Sequence, residues 1–138
     1  IYYGDEIGLP GGFDPDCRRS FPWQAPETWD HDLLAYVSAA SALRHANPVL
    51  RHGTFRILGA EGQAVAYLRG DDATAIVVAV NAGAEPARLA VDLPAVAGRS
   101  LAEVPLPGGN PGSAVALSNG RAWIEIPARA GRVLRVEA

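Results

Sequence analysis

The sequence predicts a mainly β chain, an antiparallel β-sandwich preceded by one helix and a long loop. Three observations carry that reading. From Gly53 onward apolar residues recur with a period of two, in eight short runs separated by turn residues. A helical period is confined to one stretch, about residues 30–46. Residues 1–29 keep neither period, yet they hold most of the aromatic side chains.

At the N-terminus, Ile1-Tyr2-Tyr3 reads as an apolar strand running into a charged turn at Asp5-Glu6. With no methionine anywhere, such a start reads as a segment of a longer chain. The aperiodic stretch that follows is longer than loops usually are inside compact domains, and its aromatic content argues for a functional rim rather than disorder. From Asp30, Leu33, Tyr36, Val37, Ala40 and Leu43 fall at helical spacing, five alanines favour helix, and Asn47-Pro48 stops it. Asp30 is the expected N-cap, since its short carboxylate can accept an unpaired first-turn amide. The strands expected next are Thr54–Leu58, Ala64–Arg69, Ala75–Asn81, Ala87–Leu93, Ser100–Leu106, Ala114–Leu117, Ala122–Ile126 and Arg132–Val136. Turns are expected at Gly70-Asp71-Asp72, Asn81-Ala82-Gly83, Pro107-Gly108-Gly109-Asn110 and Ser118-Asn119-Gly120. Strands without intervening helices imply antiparallel pairing. Ile76-Val77-Val78-Ala79-Val80 is apolar at every position, as a central strand covered on both faces would be, whereas Trp123-Ile124-Glu125-Ile126 alternates as a strand with one wet face does.

Composition excludes several classes of function. The 138 residues are 49% hydrophobic and 20% charged, the profile of a folded domain rather than a disordered one. All 12 basic residues are arginine, scattered among 15 acids for a net charge of −3, so no basic block exists to bind nucleic acid. The longest apolar run, Ala73 to Val80 broken by Thr74, falls far short of the roughly 20 residues a membrane helix needs, and no leader-like segment opens the sequence. No membrane partner is expected. Cys17 stands alone, so no internal disulfide forms and the compartment stays undetermined.

The chemistry concentrates in Asp14-Pro15-Asp16-Cys17-Arg18-Arg19. Pro15 suits the first position of a short helical turn, which makes Asp14 the expected cap and sets Asp14 and Arg18, four apart, on one side. A carboxylate beside a planar guanidinium can hold the vicinal hydroxyls of a sugar, and the same spacing equally makes a local salt bridge that stiffens a loop. Phe13, Phe21, Trp23 and Trp29 flank this turn, with faces suited to stack on pyranose rings or, for Trp29 above all, to pack on the helix. Asp5 with Glu6, or Asp14 with Asp16, superficially suggests a metal or acid/base pair. The arginines after Asp16 stand where further metal ligands should be, so no metal or cofactor is expected in this segment. Glu6 is expected to be a buried, hydrogen-bonded carboxylate. His31, His45 and His52 have no ligand spacing, and the Gly11-Gly12 pair opens no phosphate-binding helix.

Ile1-Tyr2-Tyr3-Gly4-Asp5-Glu6-Ile7-Gly8-Leu9, Gly11-Gly12, the Asp14–Arg19 run and Phe21-Pro22-Trp23 together resemble the α-amylase superfamily of glycoside hydrolases. The wording is most similar to the neopullulanase, cyclomaltodextrinase and α-glucosidase branch. Leu43-Arg44 and Asn47-Pro48-Val49-Leu50 resemble the last barrel helix and its exit. The resemblance implies that residues 1–52 are the C-terminal end of a (β/α)8 barrel, with strand 8, the substrate-rim loop and the last helix, and that residues 53–138 are the C-terminal β-sandwich. It further implies retaining hydrolysis of α-glucosidic bonds in maltodextrin, pullulan or cyclodextrin. The catalytic carboxylates would come from earlier strands, so the segment alone would be inactive. Asp14 and Arg18 match a pair that hydrogen-bonds a glucose unit, which favours the sugar-holding role; Arg19 and Trp23 match the motif without a role. A transglycosylase or trehalose-forming isomerase would use the same rim. A non-catalytic scaffolding or glycan-binding sandwich is a different class, and it requires exposed sheet aromatics where Phe55, Tyr67 and Trp123 are expected to be core. An α-glucan oligosaccharide is the expected partner, and self-association of the segment is left open.

Overall fold

The computed structural model describes residues 2–70, 74–93, 100–108 and 112–137. Two helices and eight strands follow in order: α1 (His31–Ala46), α2 (Val49–His52), β1 (Thr54–Glu61), β2 (Ala64–Gly70), β3 (Ala75–Asn81), β4 (Ala87–Asp92), β5 (Ser100–Glu103), β6 (Val115–Ala116), β7 (Arg121–Ile126) and β8 (Ala130–Glu137). The chain forms two compact units, Ile1–Leu43 with Leu106–Gly108 and Arg44–Pro105 with Gly109–Ala138.

In the second unit, β1-β2-β3-β8-β5-β6 make a six-stranded sheet and β4-β7 a two-stranded one, with every pairing antiparallel. Each expected strand is present. β1 and β8 run longer than expected, while β5 stops at Glu103 instead of Leu106, where Pro105 has no amide to donate to a ladder. The hydrophobic core lies between the sheets: Ala66, Val77, Ala79, Leu101 and Leu134 from the large one meet Leu89, Val91, Ala122, Ile124 and Ile126 from the small one. At Gly59, beside a register shift in β1, an added Cβ would lie 2.8 Å from the Ala90 carbonyl oxygen, so only glycine lets β1 pass β4 this closely. β3 is central, between β2 and β8, and Ile76, Val77 and Ala79 are buried. Val80 departs from the expected double burial and is exposed.

Two of the expected turns are visible. Asn119 and Gly120 both take positive φ, 50° and 75°, and Ser118 and Arg121 exchange backbone hydrogen bonds around them, the two-residue hairpin for which Asn-Gly is suited. Asn81 is buried and organises its own turn: the Gly83 amide donates to Oδ1 at 2.8 Å, and Nδ2 donates to the Glu85 and Pro127 carbonyls at 2.8 and 3.1 Å. Asp71, Asp72, Gly109 and Asn110, at the other two turns, lie outside the described residues.

The largest polar feature of this unit joins residues far apart in sequence. Arg132 donates from Nε and Nη2 to Glu103 Oε2 at 2.9 and 2.6 Å, from Nη1 to the Glu125 carbonyl at 3.0 Å and from Nη2 to the Ser113 carbonyl at 3.0 Å. Arg132 is buried and Glu103 nearly so, their side chains 9% and 13% exposed, and the four bonds satisfy the charge that burial would otherwise leave costly.

In the first unit, α1 matches the expected helix, with the Asp30 carboxylate capping the Leu33 amide at 2.9 Å. Tyr36 is exposed rather than facing a core, and no residue of α1 is fully buried. The expected strand at the N-terminus does not form over Tyr2–Gly4, which make a turn followed by a 3-10 helix, Asp5–Ile7. A lone strand has no neighbour to take its backbone hydrogen bonds.

Candidate functional site

The loop before α1 is built mostly on short-range contacts, and the Asp30 amide, which donates to the Ile7 carbonyl at 3.0 Å, ties its start to the helix. The Tyr2 amide donates to Asp5 Oδ2 and the Gly4 amide to Glu6 Oε2, each at 2.9 Å, so two carboxylates fix the turn that opens the segment. Glu6 is hydrogen-bonded as expected, but within its own turn, and it is half-buried rather than buried. The Tyr2 and Tyr3 rings sit 4.5 Å apart, and the hydrogen bond with Tyr2 holds the Tyr3 phenol above its usual range.

Asp16–Arg18 form the next 3-10 turn. Asp14 was expected to cap it, but no side-chain cap is made. Its carboxylate instead forms an ion pair with Arg18, Nε to Oδ1 at 2.9 Å, and accepts from the Cys17 thiol, with Sγ to Oδ1 at 3.8 Å. A guanidinium offers a charge-assisted bond that outcompetes a neutral amide. Both partners remain open, with Arg18 71% and Asp14 64% exposed, so each keeps hydrogen-bonding capacity for a ligand. Asp16 pairs with Arg19 through two bonds, Nε to Oδ1 at 2.8 Å and Nη2 to Oδ2 at 2.7 Å. That fork holds the Asp16 carboxyl below its usual range and Arg19 above its own. Sequence spacing singled out only the first of these two interleaved pairs; the second was available as an Asp and an Arg three apart.

The aromatics make a wall in the same unit. Phe21 lies 4.2 Å from Trp23 and 5.4 Å from Trp29 between ring centroids, and the Trp29 Nε1–H donates to the Pro22 carbonyl at 3.2 Å. Trp29 is half-buried, in line with its expected packing role, whereas Trp23 and Phe13 are exposed. The loop thus presents an accepting and donating pair and uncovered ring faces within one short stretch, the two contacts that sugar rings need. Among the described residues no group of three or more His, Cys, Asp or Glu side chains is assembled for a metal.

No family model matches the chain. It is 47% identical over 83 residues to a cyclomaltodextrinase of Bacillus sp., covering 59% of this chain and 15% of that one. An amylopullulanase of Thermoanaerobacterium thermosulfurigenes is 32% identical over 145 residues, covering 97% of this chain and 8% of that one. Among solved structures, an Anoxybacillus α-amylase superposes with a TM-score of 0.80 at 27% identity, over 98% of this chain and 28% of that one. The chain belongs to the α-amylase superfamily and spans a small part of the length of the relatives it matches.

Two expectations about the sandwich need correction. Phe55 and Trp123, read as core, are 58% and 55% exposed, while Tyr67 is half-buried and stacks on Phe55 at 5.2 Å. Phe55 lies on β1, at the edge of the large sheet, and Trp123 stands in phase with Arg121 and Glu125 on the wet side of β7. That phase was legible in the sequence.

Proposed function

We propose that this chain is the C-terminal part of a retaining glycoside hydrolase acting on α-glucosidic bonds of maltodextrin, pullulan or cyclodextrin. Residues 1–52 complete its (β/α)8 barrel, residues 53–138 form its sandwich, and the hydrolytic carboxylates come from strands outside this chain. The similarity to a cyclomaltodextrinase and an amylopullulanase supports the substrate class.

The observation that carries the role of this segment is the solvent-open Asp14–Arg18 pair at 2.9 Å. In the proposed complex Asp14 accepts from a glucose hydroxyl and Arg18 donates to the neighbouring oxygen, fixing a sugar unit remote from the scissile bond. A salt bridge this exposed contributes little to stability, so the pair is free to serve a ligand.

The test is kinetic, in the full-length enzyme. Asp14→Ala or Arg18→Ala should lower kcat/KM for a long maltooligosaccharide by roughly 1.5–3 kcal/mol per lost charged hydrogen bond, and leave a minimal chromogenic glucoside nearly unaffected, since a remote subsite acts only on substrates that reach it. Equal losses on both substrates, together with a lower melting temperature, would reduce the pair to a loop salt bridge.

A further inference from the structure

The two sheets present unlike outer faces. Phe55, Ile57 and Val80 are exposed on the outer side of the large sheet, the side to which the register also gives Arg69 and Arg135. The small sheet is different. Alternation on β7 buries Ala122, Ile124 and Ile126 and turns Arg121, Trp123 and Glu125 outward, while β4 buries Leu89 and Val91 and turns out Arg88, Ala90 and Asp92. The register sets Arg88 opposite Glu125, Ala90 opposite Trp123 and Asp92 opposite Arg121. One large ring therefore stands between two Arg–carboxylate pairs, and the residue across from it is only an alanine.

The two pairs are not alike. Arg121 Nε closes on Asp92 Oδ1 at 2.6 Å, whereas Arg88 Nε stands 4.0 Å from Glu125 Oε1 and rests its guanidinium 4.5 Å from the Trp123 ring centroid. The looser pair is the one beside the ring. A groove of about 670 Å³ opens there, walled by Arg88, Ser113, Trp123, Glu125 and Pro127. This is within the usual size of small-ligand sites. The charged groups lining the groove are Arg88, Glu125 and Arg132, the last already paired with Glu103, a balance that suits a neutral polyhydroxyl ligand and gives little attraction to a phosphate backbone or an anionic lipid.

We propose that this groove is a glucan-binding site separate from the Asp14–Arg18 rim, taking a linear α-glucan oligosaccharide. One glucose ring lays its C–H face on the Trp123 indole, which removes exposed aromatic surface from water. Arg88 donates to its hydroxyls and Glu125 accepts from them, exchanging a long ion pair for short charge-assisted hydrogen bonds. That the ligand is an α-glucan rests on the function proposed above; that it is a sugar rests on the groove itself.

The test is a titration of the isotopically labelled chain with maltoheptaose up to about 10 mM, an order of magnitude above a weak Kd of about 1 mM. The Trp123 indole N–H resonance should shift and saturate. Trp123→Ala, at an exposed position, should keep the fold and weaken binding measured by calorimetry about tenfold or more, and Glu125→Gln should weaken it less. The Trp123 shift should persist in the Asp14→Ala/Arg18→Ala variant, which separates this site from the rim whatever the rim binds. No saturable shift at Trp123, or its loss in the rim variant, would overturn the site. An equal response to cellohexaose would overturn the α-glucan assignment.

Discussion

Replacing Arg132 with methionine tests the organisation of the sandwich most sharply. The change keeps a long apolar stem and removes the guanidinium, stranding Glu103, whose side chain is 13% exposed, and orphaning the Glu125 and Ser113 carbonyls. Breaking one partner of a buried pair costs about 3–5 kcal/mol, most of it the desolvation of the charge left behind. With a urea slope of about 1–3 kcal/mol/M for a chain of this size, the unfolding midpoint should fall by about 2 M. Arg132→Met/Glu103→Leu should be more stable than Arg132→Met alone, because the stranded carboxylate is gone and only the two carbonyls remain unpaired. Urea melts of the wild type, both single variants and the double variant complete the cycle. An Arg132→Met loss below about 1 kcal/mol, or a double variant as unstable as the sum of the singles, would refute the buried pair as the polar centre of the sandwich.

Other consequences follow from the same features. A clean preparation of residues 1–138 should release no glucose from maltodextrin, pullulan or cyclodextrin, because positioning groups do not turn over without a nucleophile and its acid/base; measurable release would place catalytic carboxylates in this chain. Hydrogen exchange should be slow across Ile76–Val80, on the central strand, and fast across Tyr2–Trp23, where residues 11–20 are all exposed; equal protection would contradict the loop's dependence on outside surface. Carbon-detected NMR should find the Asp16 carboxyl titrating below its ordinary 3.8, with Arg19→Ala restoring it. Because the folded value is the lower one, the pair's contribution is present above that ordinary value and is lost as pH falls through the folded value; an unshifted Asp16 would remove the Arg19 fork from the account.

Where the sequence was informative, local rules governed the outcome. The Asn119-Gly120 turn, the alternation of β7 and the Asp30 cap each follow from residues within a few positions of one another. What escaped it depends on partners distant along the chain or on surfaces uncovered in it. Arg132 and Glu103 are 29 residues apart, and neither signals burial by type. Tyr36 keeps perfect helical phase and is still exposed, because periodicity names a face without saying what covers it. Asp14 shows the same limit in the rim: two partners for its carboxylate were conceivable, a backbone amide and a guanidinium, and the charged one won. The Asp14–Arg18 geometry itself was legible from its spacing of four, whereas the openness of the pair, on which its proposed role depends, was not.

The most direct measurement of that role is a crystal structure of the full-length enzyme soaked with a slowly hydrolysed maltooligosaccharide analogue. The account predicts a glucose unit with Asp14 accepting from one of its hydroxyls and Arg18 donating to an adjacent oxygen, at about 2.7–3.1 Å. A fully occupied ligand that leaves Asp14 and Arg18 bonded only to each other would contradict it.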